Sequence, residues 1–257
     1  MPVRPHASRP LLAALFAPAL LLSAPAMAQS AAPKPETNMI DEICTPQSAS
    51  AYNPQTDWAW LCRYHAANLA LPGGRADIVF IGDSITEGWS RFTPGLFTGG
   101  IVNRGISGPT SPQLLLRFMA DVVALKPRVV HLMIGTNDIA GNTGPTTPEA
   151  WKNNLRAMVE LARANDIRVI LGSIPPADHM SWRPDLRPAA QIAALNEWLK
   201  QFAAERGLTY ADYHAVLSGP SGELRSEFGR DGVHPEAAGY AVMEPVTRAA
   251  LAAALKD

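Results

Sequence analysis

Cysteine is scarce: Cys44 and Cys62 are the only two in 257 residues. There is no C-x-x-C pair, which excludes dithiol redox catalysis, and the histidines at 6, 65, 131, 179, 214 and 234 show no zinc-ligand spacing. Neither sign of charge dominates. With 22 Lys and Arg against 23 Asp and Glu, the formal charge is -1, so no net field draws the chain onto nucleic acid or anionic lipid. Long apolar runs are lacking too: the longest, Leu11 to Leu22, is about a dozen residues, short of the ~20 that span a bilayer. What is abundant is core-forming material. A hydrophobic content of 47% excludes disordered and fibrous classes, and the length suits one sizeable α/β domain.

The N-terminus combines Arg4 and Arg9, the apolar run and then Ala26-Met27-Ala28, the small-x-small spacing of a secretory cleavage site. Residues 1–28 are therefore expected to be a signal peptide, leaving no stable membrane anchor and a periplasmic or secreted product. An oxidising compartment favours a bridge between Cys44 and Cys62 over two free thiols, and closing that loop stabilises by about 3 kcal/mol. Such a bridge is expected to act on stability alone, since both cysteines precede the segment that carries the chemistry. Residues 29–74 form a lead-in, small and proline-rich at "QSAAPKP", followed by helical periodicity from Asp57 to Leu71 that stops at Pro72-Gly73-Gly74.

Beyond Gly74 two patterns alternate. Strand candidates run over residues 77–81, 100–103, 128–134, 168–173 and 208–213, rich in β-branched and aromatic side chains. Helical stretches lie between most of them, with Ser111-Pro112 and Thr147-Pro148 read as starts and Lys126-Pro127 as a stop. Alternation of this kind builds a parallel sheet with helices on both faces, whose ligand sits beyond the carboxyl ends of the strands.

Chemistry-bearing residues follow those ends. The first strand leads into Gly82-Asp83-Ser84, the second into Arg104-Gly105-Ile106-Ser107-Gly108, the third into Gly135-Thr136-Asn137-Asp138, and a late turn reads Asp231-Gly232-Val233-His234-Pro235. Ser84 alone is ordinary turn composition and reads equally well as a helix cap. It becomes a nucleophile if a base takes its proton and donors hold the oxyanion formed on attack. His234 is the candidate base, with Asp231 three residues earlier to accept from Nδ1–H, although that turn also reads as a plain entry into the last helix. The candidate donors are the amides of Ser84 and Gly108 and the side chain of Asn137. His131, inside a strand, reads as a core histidine.

Taken in order, GDSITEG, the ISG turn, GTND and DGVHP resemble the four blocks of the SGNH hydrolases, also called the GDSL esterase and lipase family, from about Ala76 onward. The resemblance implies a three-layer α/β/α sandwich of flavodoxin-like type on a five-stranded parallel sheet, occupying residues 75–257. It also implies Ser84 as nucleophile, Asp231 and His234 as the rest of a triad, Ser84, Gly108 and Asn137 as the oxyanion hole, and no metal or cofactor. Two positions depart from the pattern: Ile85 replaces leucine at similar volume, and Pro109 stands where many relatives carry aspartate, removing a carboxylate and an amide donor. No G-x-S-x-G occurs, which sets the chain apart from the α/β-hydrolases. The expected activity is hydrolysis of carboxylic esters, with short acyl groups such as acetyl on carbohydrate favoured. A lysophospholipase or thioesterase, and a non-catalytic carbohydrate-binding protein on the same fold, are the rivals. The loops over residues 141–147 and 177–188, with Trp182 and Arg183, are expected to border the pocket.

Overall fold

Ile78–Gly82 forms β1, and its side chains divide between two cores as the two-residue period of a strand requires. Val79 and Ile81 enter one apolar cluster, Ile78 and Phe80 the other. All five residues are buried, as in a strand covered on both faces. The structure is a computed structural model and describes residues 39–256; the expected signal peptide, residues 1–28, and the first part of the lead-in lie outside them.

The described helices are α1 (Met39–Ile43), α2 (Pro46–Ser50), α3 (His65–Leu69), α4 (Ser84–Phe92), α5 (Ser111–Asp121), α6 (Thr136–Ala140), α7 (Pro148–Arg163), α8 (Ala189–Arg206), α9 (Tyr213–Leu217) and α10 (Ala237–Leu255). The remaining strands are β2 (Ile101–Gly105), β3 (Val129–Met133), β4 (Arg168–Gly172) and β5 (Thr209–Ala211). All pairings are parallel and the order is β2-β1-β3-β4-β5. Helices α5, α7 and α8 cover one face through residues such as Phe118, Trp151 and Ile192. Helices α4, α9 and α10 cover the other through Trp89, Leu217 and Met243. The expected three-layer sandwich is thus the architecture found. In this strand order the chain reverses its winding between β1 and β3, and the gap between their outgoing loops is where such sheets place a ligand.

The expected strands are present but trimmed. β5 stops at Ala211 because the Asp212 carboxylate accepts the Ala215 amide (3.1 Å) and starts α9 there. Ser111 is not the cap of α5; Thr110 is, its amide bonded to Gln113 Oε1 (3.1 Å), which frees the Ser111 hydroxyl for another partner. Thr147 caps α7 as expected, accepting from the Ala150 amide (3.1 Å). His131 is buried in the core, with Nε2 against the Tyr213 hydroxyl (2.8 Å) and its ring stacked on Phe80.

The continuous helix expected over residues 57–71 is not formed. The Asp57 carboxylate takes the amides of Leu61 and Cys62 (2.8 and 2.9 Å), Trp60 adopts a left-handed φ of 54°, and only short turns and α3 follow. Cys62 is bonded to Cys44, so this stretch is shaped by its cap and its bridge, and α3 packs against α5. The Tyr64 hydroxyl donates to the Gly105 carbonyl, and Asn68 bonds Arg104 Nε (2.7 Å) and Asp121 (2.8 Å). Those contacts continue into a buried pair. Arg117, fully covered, meets Asp121 (2.8 Å) and donates to the carbonyls of Arg104 (2.7 Å) and Gly82 (3.0 Å), tying together the ends of β2 and β1. Removing one member of such a pair leaves a buried charge alone, at a cost of about 3–5 kcal/mol.

Candidate active site

Ser84 is the first residue of α4, immediately beyond β1. Asp83 caps the helix, its carboxylate accepting the Ile85 amide (3.0 Å), while the Ser84 amide, in the first turn, has no intrahelical acceptor. Burial pushes the Asp83 carboxyl up to about 6, against the lowering effect of that amide. The Ile85 carbonyl accepts from the buried Tyr240 hydroxyl (2.7 Å), which anchors the turn to α10.

His234 arrives from the opposite end of the sequence. Its Nε2 lies 2.8 Å from Ser84 Oγ, and its Nδ1 lies 2.7 Å from Asp231 Oδ2. A carboxylate can only accept, so Nδ1 carries the hydrogen and Nε2 is left as the acceptor for the serine hydroxyl. The other oxygen of Asp231 accepts the amides of Val233 (2.9 Å) and His234 (2.7 Å), closing a tight turn through Gly232. Burial pushes the Asp231 carboxyl up, but these amides and the imidazole outweigh it and hold the group below the ordinary carboxylate range. Both side chains are partly exposed, 39% for His234 and 48% for Asp231, so the contact orients the ring more than it stabilises the fold.

Asn137 stands in the first turn of α6, just after β3. Its Oδ1 accepts from Asn142 Nδ2 (2.6 Å) and its Nδ2 donates to the Pro109 carbonyl (3.1 Å), which leaves the second amide hydrogen for a ligand. Gly108 has φ +94°, a conformation that side chains disfavour, and a Cβ there would meet nothing within 4 Å. Glycine is needed at this position for its backbone angle, not for space.

The loop carrying Gly108 lacks the family's aspartate yet is tied down on both sides. The amide (2.8 Å) and hydroxyl of Ser107 donate to Glu87 Oε2, whose other oxygen accepts from Arg63 (3.1 Å). Gly105 permits this, because a Cβ there would lie 2.2 Å from the Glu87 amide, so α4 can press onto the end of β2. On the far side Asp138 accepts the Ser111 amide (3.0 Å) and hydroxyl (2.5 Å), joining α5 to α6; burial pushes this carboxyl up to about 7.

Ser84, Gly108, Asn137 and His234 therefore face one cleft of about 320 Å³, with Asn142 and Trp182 on its walls. Asp231 lies behind His234. Of the two loops expected to border the pocket, one supplies Asn142 and the other Trp182, joined by a bond from Trp182 Nε1 to Asn142 Oδ1 (3.0 Å). Arg183 instead donates to the Ala140 carbonyl at 2.5 Å, as a brace of α6. Sequence patterns do not single out Glu87, Asp138 or Arg117 for these tasks. Glu87 carries a signal all the same, standing three residues after Ser84 on the same helix face.

A family model described as GDSL-like Lipase/Acylhydrolase family matches residues 80–242, most of the chain and all of these turns. The chain belongs to this family. Its fold superposes on that of a GDSL-like lipase from Bacteroides thetaiotaomicron VPI-5482 with a TM-score of 0.73 and 39% identity, covering 77% of this chain and 100% of that one. Among curated proteins it is similar to an uncharacterised lipoprotein of Bacillus subtilis, 31% identical over 121 residues, 40% of this chain and 50% of that protein. It is also similar to an acetylxylan esterase of Geobacillus stearothermophilus, 34% identical over 91 residues, 26% of this chain and 42% of the esterase. The chain thus spans half or less of these two curated relatives.

Proposed function

We propose that this GDSL-family protein is a carboxylic ester hydrolase that works through an acyl-enzyme on Ser84, acting on short acyl esters such as acetyl groups on carbohydrate. The observation that carries the reading is the unbroken chain from Ser84 Oγ through His234 to Asp231, opening on a cleft shared with Gly108 and Asn137. His234 removes the serine proton as Oγ attacks the ester carbonyl. The negative oxygen is then held by the Ser84 and Gly108 amides and by Asn137 Nδ2. Collapse breaks the carbon–oxygen bond to the alcohol, which leaves with the proton from His234. Water, deprotonated by the same imidazole, attacks the acyl-serine and frees the acid. Asp231 keeps the ring in the productive tautomer.

Short acyl groups fit the lining of the cleft, where Ser107, Asn137 and Asn142 are polar and do not make an apolar channel. A long chain would need one, since each buried methylene contributes only if it finds an apolar site, about 0.8 kcal/mol apiece. With p-nitrophenyl esters, kcat/KM is expected to be highest from acetate to butyrate and to fall steeply by octanoate. A maximum at decanoate would move the lysophospholipase reading ahead.

The pH profile follows from the proton inventory. The base must be unprotonated to act, and Asp83 and Asp138, pushed up to about 6 and about 7 by burial, must be charged to hold the turns of the site, so kcat/KM is expected to rise with pH between about 5 and 8. Asp231, held below the usual carboxylate range, is already charged there and adds no break of its own. A flat initial-rate profile across that range would contradict the assignment.

Glu87→Gln tests the loop. It keeps the volume but replaces charge-assisted bonds to Ser107 by neutral ones, a difference of about 1–1.5 kcal/mol, so kcat is expected to drop roughly tenfold with KM little changed. Rates equal to the parent would show that the loop holds without Glu87.

We place the protein outside the cytoplasm. Support comes from the basic, apolar and Ala-Met-Ala features of residues 1–28 and from the Cys44–Cys62 bridge, of a kind that persists in oxidising compartments. No helix among the described residues is long and apolar enough to cross a membrane.

A further inference from the structure

We propose that the segment closed by the Cys44–Cys62 bridge builds a leaving-group subsite, a pocket walled by Tyr52, Trp60 and Trp182 that receives a ring of a neutral saccharide ester. The inference rests on the serine esterase reading and extends it to the alcohol side. Beside the catalytic cleft lies a second cavity of about 340 Å³ that shares Ser107, Gly108, Asn142 and Trp182 with it, so the two form one continuous surface. Tyr52 and Trp60 come from the bridged segment.

The aromatic walls are fixed before any ligand arrives. Trp60 Nε1 donates to the Ser48 carbonyl (3.1 Å), and the Tyr52 hydroxyl donates to the Trp58 carbonyl (2.9 Å) while accepting from Gln113 (2.8 Å). Trp182 is held by Asn142 (3.0 Å), and the rings of Tyr52 and Trp60 pack 4.9 Å apart. With their polar atoms engaged, what these residues offer is ring surface, and Tyr52 and Trp182 are each 39% exposed. A single exposed aromatic carries no message, but three around one cavity next to a reactive serine form a binding wall. Preorganisation of this kind lowers the ordering cost of binding.

The chemistry of the lining selects the occupant. Among the described residues no charged one lines the cavity, and Asn142 and Thr143 set an amide and a hydroxyl beside the aromatic faces. A sugar ring, with C–H faces and hydroxyl edges, matches that alternation. A fatty chain would gain from the rings but would strip water from the polar groups without replacing it, a cost that a sugar's hydroxyls offset. The side is set by His234: the imidazole must hand its proton to the departing alcohol, and Trp182, whose ring centre is 6.2 Å from that of His234, continues from there into the cavity.

The test compares Trp60→Ala, Trp60→Phe and the parent on an acetylated xylo-oligosaccharide and on ethyl acetate, whose alcohol is too small to reach the pocket. In Trp60→Ala the ratio of kcat/KM for the saccharide ester to that for ethyl acetate is expected to fall at least tenfold, through KM, with much of it recovered in Trp60→Phe. A ratio within twofold of the parent overturns the proposal. So does a shift in preference between ethyl acetate and ethyl butyrate, which would make the cavity an acyl pocket. Failure of the esterase reading is separable: if the parent hydrolyses neither ester, calorimetric binding of unacetylated xylo-oligosaccharide to the intact protein still reports on the pocket. Binding lost in Trp60→Ala then supports the subsite, and no binding refutes it.

Discussion

Ser84→Ala is expected to lower kcat/KM toward p-nitrophenyl acetate by a factor on the order of 10⁵–10⁶, the loss typical when the nucleophile of a serine triad is removed. Only Oγ disappears. Alanine is a good residue at the start of a helix, Asp83 still caps α4, and Asp231 still holds the His234 ring. The thermal midpoint should therefore stay within the few degrees that about 1 kcal/mol produces in a chain of this size. An organophosphonate should add one mass increment to the parent and none to the variant. Turnover within a hundredfold of the parent, with the protein folded, would sink the assignment of Ser84 as nucleophile and reopen the reading of that serine as a cap.

Asn137→Ala should come next in size, a loss of roughly 10²–10³ in kcat, about 2.7–4 kcal/mol, as for other single oxyanion donors. The donor is called on as charge develops on the substrate oxygen, so KM should move little. Asn137 has a second task, since the same amide group holds the Pro109 carbonyl and its oxygen accepts from Asn142. Asn137→Asp separates the acceptor role from the donor roles. Aspartate can still accept from Asn142 but has lost both donors and sets a negative charge beside the forming oxyanion, so it should be at least as slow as the alanine variant. If the Asn137→Asp variant retained activity near the parent, neither the bond to Pro109 nor a place in the oxyanion hole would be needed, and Asn137 would serve only as the acceptor for Asn142.

Much of this architecture could be read before any coordinates. The runs at Ile78, Val129 and Arg168 announce strands because β-branched side chains favour a pleated, doubly buried environment. The stop after each run is set by glycine and capping residues acting over three or four positions. Ser84, Asn137 and His234 were legible for the same reason: each stands in a turn whose composition is local. The misreadings were also local. Residues 57–71 have helical periodicity, yet the Asp57 carboxylate and the bond to Cys44 break the helix. Ser111 resembled a cap, but its hydroxyl was claimed by Asp138, distant in sequence.

The alternation of strands and helices, the parallel sheet and the turn residues at its carboxyl edge follow from short-range preferences written in the chain itself. Partner choice is another matter. That Glu87 secures Ser107, that Arg117 ties β1 to β2, that Pro109 is held by Asn137, and that Tyr52 and Trp60 wall a cavity next to Ser84 are contacts between residues far apart in sequence. No local period encodes such pairs. They exist only once the two cores have packed on the sheet, because packing brings each polar group to its partner and leaves the cleft between them.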